Sequence, residues 1–394
     1  MSEWKKVKLG EICERVTSGG TPKANVSSYY NPPTIPWLKT KEVNYCRITE
    51  TENYISEEGL KNSSAKLISP NSVIIAMYGQ GDTAGRVAIN KIPLATNQAC
   101  CNLTIDKSKA DYEFIYYQLC TLYDKLVSLK AGAAQPNLNA RIIKNLEIIM
   151  PSLPIQHRIA TILSRYDSLI ENYQKQIKLL EEAAQRLYKE WFIDLRFPGH
   201  ENTNIIDGVP EGWEKKKLHE IAEVVMGSSP KSEFYNNDKQ GLPFHQGVGS
   251  YGTRFVDDNV YSTSITRLAE PNSILFSVRA PVGRLNITKN KIIIGRGLAA
   301  MNHKDGFQSF LFYMLKERFF MDNIIGNGSI FASISKVELL DQEFIVPPMK
   351  TIKAFESLAS KLDKKIQGVD TQLRLLTEAR DRLLPKLMSG EIEI

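Results

Sequence analysis

The stretch Leu138–Pro151, LNARIIKNLEIIMP, returns as Ile334–Pro347, ISKVELLDQEFIVP. From these two prolines onward the register stays fixed at an offset of 196 residues, the step from Pro151 to Pro347, for about forty residues. Along it Asp167 matches Asp363, Gln176 matches Gln372 and Leu179-Leu180 matches Leu375-Leu376. Glu182-Ala183 matches Glu378-Ala379, and Arg186-Leu187 matches Arg382-Leu383. Outward from this core, Trp4–Lys23 returns as Trp213–Lys231, and Ser69–Ile89 returns, shortened, as Glu270–Ile287. A chain written twice at so long a period is built from two equivalent structural units.

Each copy divides in two. Residues 1–150 and 213–346 mix short β-rich runs, such as Val73–Ala76 and Ile292–Ile294, with Gly, Asn and Pro turns. Amphipathic helical stretches, Asp111 to Leu129 and Phe307 to Phe320, sit among them, which makes each of these parts α+β. Residues 151–197 and 347–394 read as one long helix each, and 198–212 is the Gly- and Pro-marked linker expected between domains.

The first helix is expected to start after Pro154, with a seam through Ile159, Ile162, Tyr166, Leu169, Tyr173, Gln176, Leu180, Ala183 and Leu187. The second seam runs through Phe355, Leu358, Leu362, Ile366, Val369, Gln372, Leu376, Ala379 and Leu383. Steps alternating three and four are the heptad rule for paired helices. Gln176 and Gln372 are either a polar layer that fixes register or two exposed side chains. Gly368 weakens the second helix, and Pro385 is expected to end it. Some 35 residues make a rod of roughly 50 Å. Two such rods separated by a globular part close most simply as an antiparallel pair.

The 394 residues, 42% apolar and 24% charged, are enough for two or three soluble domains. No apolar run reaches membrane-helix length, and the first residues lead into no signal-peptide core. Five cysteines without a C-x-x-C pair suggest neither a disulfide framework nor a zinc knuckle, and a reducing cytoplasm is the simplest compartment. A formal net charge of +6 is compatible with nucleic acid.

Two stretches imitate enzyme motifs. Tyr29–Thr34, YYNPPT, contains the Asn-Pro-Pro with which DNA adenine methyltransferases grip a flipped base, but no aromatic residue follows it. The second copy replaces it by Asn236-Asn237-Asp238 and keeps the next Pro-aromatic pair, Pro36-Trp37 against Pro243-Phe244. A turn tolerates that exchange and a base-gripping loop does not. Tyr78–Arg86, YGQGDTAGR, follows an apolar run but leads into a strand-like stretch, whereas a phosphate loop opens a helix. The histidines are scattered, and no nucleophile elbow or nuclease-like carboxylate cluster is present. The chain reads as a part that recognises rather than reacts.

Polar, planar and basic side chains suited to recognition gather in the two globular parts. In the first they are Lys39, Lys41, Asn44, Gln80, Arg86, Asn97, Gln98, Gln135, Asn137 and Arg141. In the second they are His245, Gln246, Tyr251, Arg254, Arg279, Arg284, Arg296 and Asn327. Arg pairs with guanine and Asn or Gln with adenine in the major groove, while Lys more often meets phosphate.

Over nearly its whole length the chain resembles the specificity (S) subunits of Type I restriction–modification enzymes. The resemblance rests on SGGTPKANVSSYYNPPTIPWLKTKEV, GLPFHQGV, GVPEGWEKKKL and the terminal LLPKLMSGEI. Its most specific part is the central helix with its EWFIDLRFPG exit. The resemblance implies two target-recognition domains that each read half of a split, asymmetric sequence in double-stranded DNA. It implies an antiparallel coiled coil that sets their spacing and docks two modification (M) subunits carrying adenosylmethionine. Restriction (R) subunits using ATP and Mg then complete a nuclease, and no cofactor is expected on this chain.

Overall fold

The computed structural model describes residues 4–130, 137–319 and 333–394. The chain forms two compact units, one of Met1–Asn172 with Leu373–Ile394 and one of Tyr173–Gln372. Each therefore holds one α+β part and a portion of each long helix.

In the first unit a five-stranded sheet runs in the order Cys13–Ser18, Cys100–Ile105, Val73–Ala76, Val87–Asn90, Cys46–Ile48. The run Val73–Ala76 is wholly buried because its alternating side chains enter two cores. Val73 and Ile75 pack with Phe114 and Tyr117 of the helix Tyr112–Thr121, whose N-terminus Asp111 caps. Ile74 and Ala76 pack with Leu38 and Leu94 of a second, four-stranded sheet. The second unit repeats the plan: Ile274 and Phe276 face the helix Gln308–Phe319, and Leu275, in a four-stranded sheet, faces the second sheet, here of five strands. The repeated ends of each copy meet, since Lys5–Lys8 pairs antiparallel with Glu147–Met150 and Glu214–Lys217 pairs with Glu343–Val346.

The central helix spans Leu153–Phe192, so Pro154 lies in its first turn, where its missing N–H is harmless. The C-terminal helix spans Met349–Ser389 and carries Pro385 inside it. The expected stop at Pro385 is thus corrected: Leu387 and Met388 are buried against Ile159, Ala160 and Leu163, and that packing holds the last turn. With Arg380 bonded to Asp167 at 2.9 Å further along, these contacts make the helix segments of the first unit antiparallel. In the second unit Tyr188 and Trp191 meet Phe355 edge to face.

Ile159 is buried as expected, but from there on the buried row of the central helix lies one residue further along than its apolar spacing predicts. Leu163, Ile170, Ile177, Ala184 and Trp191 are buried at a strict period of seven, with Ala160, Asp167 and Tyr188 on the neighbouring row. One residue is about 100° of rotation. Leu169 is 46% exposed, and Tyr173 and Leu180 are only half-buried. On the second helix Phe355, Ile366 and Val369 are buried as expected, but Leu358, Gln372 and Ala379 are exposed. The cause is that each helix packs against its partner and its own α+β part, so buried positions fill two adjacent rows and include Asp167. Gln372 is a surface residue and Gln176 is half-buried. Among the described residues no helix is long and apolar enough to cross a membrane.

Gly368 is exposed, lies inside the continuous helix, and has nothing within 4 Å of where a Cβ would stand. Gly368→Ala is expected to raise stability by about 0.5–1 kcal/mol in denaturant unfolding, through helix propensity and a less free unfolded chain.

Candidate nucleic-acid interface

One end of each α+β part is built by a parallel strand pair. Trp37-Leu38 lie beside Ala95-Thr96 in one unit, and Phe244-His245 lie beside Ile293-Ile294 in the other. Parallel strands end at the same edge, so the loops after them emerge together. Two further loops reach this edge because Ala76 pairs with Cys100 and Ser18 with Cys101, as Ser277 does with Leu298 and Met226 with Ala299.

The same backbone bonds tie the loops in both units. Asn97 N–H donates to the Leu38 carbonyl at 2.9 Å, and Gly295 N–H to the His245 carbonyl at 2.8 Å. Met77 N–H donates to Ala99 O at 2.7 Å, and Val278 N–H to Gly297 O at 2.9 Å. Gly19 N–H donates to Cys100 O at 3.2 Å, and Gly227 N–H to Leu298 O at 2.9 Å. These glycines are required by approach: a Cβ on Gly19 would stand 2.2 Å from Thr96 O, and one on Gly227 would stand 2.1 Å from Gly295 O.

In the first unit this edge gathers Lys39, Lys41, Asn44, Gln80, Arg86, Asn97 and Gln98. Lys39 bonds Asn53 at 3.0 Å and lies 5.1 Å from the Trp37 ring centroid. Lys41 is paired with Glu52, and Arg86 with Asp82. Asn44, Gln80 and Gln98 are exposed, and the Thr21 hydroxyl donates to the Gln98 side chain. Asn137 adjoins the edge through Leu138, whose N–H donates to Met77 O at 3.1 Å. Arg141 lines a different cleft with Lys125 and Asn145. In the second unit Gln246, Arg279 and Arg296 line one cleft of about 320 Å³ with Ser277 and Gly297, and Arg284 is exposed at the end of the Arg279 loop. Gln135 and Asn327 lie outside the described residues.

Three predicted contacts are corrected. His245 is 1% exposed, held by Ser250 at 2.7 Å and Asp258 at 2.9 Å. Burial opposes ionisation of Asp258, but hydrogen bonds from His245 and Asn290 outweigh it and hold that carboxyl below its usual range. Tyr251 has its hydroxyl buried, and burial pushes its phenol well up. Arg254 is 3% exposed and lies 4.0 Å from the Phe312 ring centroid. It donates to Asp363 of the C-terminal helix at 2.5 Å, to Tyr313 at 3.3 Å and to Glu181 at 3.4 Å.

Arg254 is an anchor, and the first unit has its counterpart in Arg47, a residue absent from the sequence-based set. Arg47 donates to Asp167 at 2.9 Å, to Tyr117 at 2.9 Å and to Glu113 at 3.1 Å. Tyr117 donates to Asp167 at 2.6 Å, as Tyr313 does to Asp363 at 2.8 Å. Burial, with the neighbouring aspartate adding to it, pushes both phenols up and keeps them donors. The signal for this pair was the match of Asp167 with Asp363 in the sequence repeat.

The chain belongs to the Type I restriction modification DNA specificity domain family, whose model matches residues 1–182 and 210–373, and its function is that of a specificity subunit of a Type I restriction–modification complex. It is 31% identical to the Type I restriction enzyme MjaIX specificity subunit of Methanocaldococcus jannaschii, covering 100% of this chain and 94% of that protein. It is 28% identical to the putative MjaX specificity subunit of the same organism, again over 100% of this chain and 94% of the relative. Its fold matches the crystal structure of a Type I restriction–modification S subunit from M. genitalium with a TM-score of 0.65 at 18% identity, covering 98% and 96% of the two chains.

Removing one partner of a buried, hydrogen-bonded ion pair costs about 3–5 kcal/mol, whereas an exposed pair is worth at most about 1 kcal/mol. Arg254→Ala is therefore expected to destabilise the second unit by several kcal/mol in denaturant unfolding, and Lys41→Ala to change little. Equal effects would remove the anchor assignment.

Proposed function

We propose that this chain reads a bipartite, asymmetric DNA site, one half with each unit, and docks two modification subunits and the restriction subunits without a catalytic centre of its own. The observation that carries the reading is the pair of loop edges, which share the backbone bonds described above and differ in side chains. One presents Lys39, Gln80 and Gln98, and the other presents Gln246, Arg279 and Arg296. A common frame with unlike donors and acceptors fits two unlike base sequences. Adenosylmethionine, ATP and Mg belong, in this reading, to the partners. Five free cysteines fit a reducing cytoplasm.

Docking of two copies of one partner is supported by the exposed faces of the long helices. Leu179, Glu182, Ala183 and Arg186 recur as Leu375, Glu378, Ala379 and Arg382, and all eight are exposed. At spacings of three and four they share one helix face. Leu179 and Leu375 are each 53% exposed, where an isolated helix pair has no use for leucine. Identical residues on both outward faces suit two copies of the same subunit.

Exchanging residues 1–150 for those of a relative is expected to change one half of the methylated sequence and leave the other intact, as read by genome-wide methylation mapping in cells that also express the modification subunit. Change in both halves, or in neither, would defeat the reading, and a scaffold without DNA binding would give no sequence-specific methylation. Leu179→Asp or Leu375→Asp is expected to reduce the bound modification subunits from two to one in sedimentation analysis, with the unfolding transition unmoved. Retention of both subunits in each variant would argue against docking on these faces.

A further inference from the structure

We infer that the loop position after the second strand of the parallel pair is a base-selecting position: Arg296, with Arg279, reads a guanine in the second unit's half-site, and Gln98 reads an adenine in the first's. This rests on the proposed function and adds the identity of one base in each half-site.

The two positions are equivalent by backbone bonding. Asn97 and Gly295 make the same bond to the end of the neighbouring parallel strand, and Ala99 and Gly297 accept the same bond from the adjoining loop. Gln98 and Arg296 lie between them. Each is also fixed by the first loop of its unit: the Thr21 hydroxyl donates to the Gln98 side chain, and Arg296 N–H donates to Ser229 Oγ at 3.2 Å. Glycine flanks Arg296 because a Cβ on Gly295 would stand 2.9 Å from Gln246 Cα, and one on Gly297 would stand 2.5 Å from Gln246 O. The Arg296 backbone is thus wedged against the neighbouring loop, and its side chain starts from a fixed origin, as a specific contact requires.

The chemistry differs between the two edges. Arg47, Arg254 and Arg86 are each neutralised by carboxylates. Among the described residues, the cleft holding Arg279 and Arg296 has no carboxylate in its lining. It offers two donor-only guanidinium forks beside the amide of Gln246, which suits a partner presenting acceptors. Guanine shows two acceptors, O6 and N7, in the major groove, and adenine shows an acceptor beside a donor, which an amide matches. A DNA phosphate is also acceptor-only and a guanidinium fork fits it too, but a phosphate contact carries no base preference, so base selection is what separates the two.

The test is selection from a randomised duplex pool, at one fixed salt concentration, by the full-length chain assembled with its modification subunits. Arg296→Gln is expected to move one position of one half-site from guanine to adenine, with discrimination changed about tenfold or more. Gln98→Arg is expected to make the reverse change in the other half-site, and Arg279→Ala to relax selection within the half-site that Arg296 reads. Unchanged base preferences in Arg296→Gln and Gln98→Arg would overturn the inference. So would a uniform loss across all sequences with a shallower salt dependence, the mark of a phosphate contact. A wild-type assembly that enriches no split sequence would overturn the proposed function as well.

Discussion

A buried arginine reaching from the α+β part to an aspartate on a long helix organises each unit. A guanidinium out of water is costly, and carboxylates, hydroxyls and ring faces around it offset that cost. Arg47 meets Asp167, Tyr117 and Glu113, and Arg254 meets Asp363, Tyr313 and the face of Phe312. In the first unit Arg380 of the C-terminal helix also donates to Asp167 at 2.9 Å, so one carboxylate gathers both helices and the sheet. Apolar packing tolerates small slips along a helix, whereas a fork on a carboxylate does not. The recognition loops therefore stand at a defined place relative to the helix segment of their own unit.

The fold was legible where the sequence repeats or where local chemistry is decisive. The runs Val73–Ala76 and Ile292–Ile294 and both long helices follow from local composition and period, whereas the repeat of Trp4–Lys23 and Leu138–Pro151 does not show that Lys5–Lys8 pairs with Glu147–Met150. The turn at Asn31–Thr34 is exposed and leads into Ile35–Leu38, and the glycine loop after Val73–Ala76 leads into the strand Val87–Asn90. The seam was misread by one residue because counting apolar positions cannot see that Asp167 belongs inside. Tertiary packing likewise outweighed the usual stop at Pro385.

The site was legible in part. Lys39, Gln98, Gln246, Arg279 and Arg296 share the loop edges. His245 and Arg254 resemble them in type, yet they point inward, and only the placement of Asp258 and Asp363 reveals it. A polar side chain in a sequence carries no mark of which way it faces. Partners distant in sequence decide that.

The two units also differ in how their residues are arranged along the chain. The second is continuous, Tyr173–Gln372, while the first takes Leu387 and Met388 from beyond it to complete its core. A ribosome therefore delivers all of the second unit before the last pieces of the first. A chain that has grown as far as Gln372 holds every residue of the second unit, while the first still lacks Leu387 and Met388 of its core.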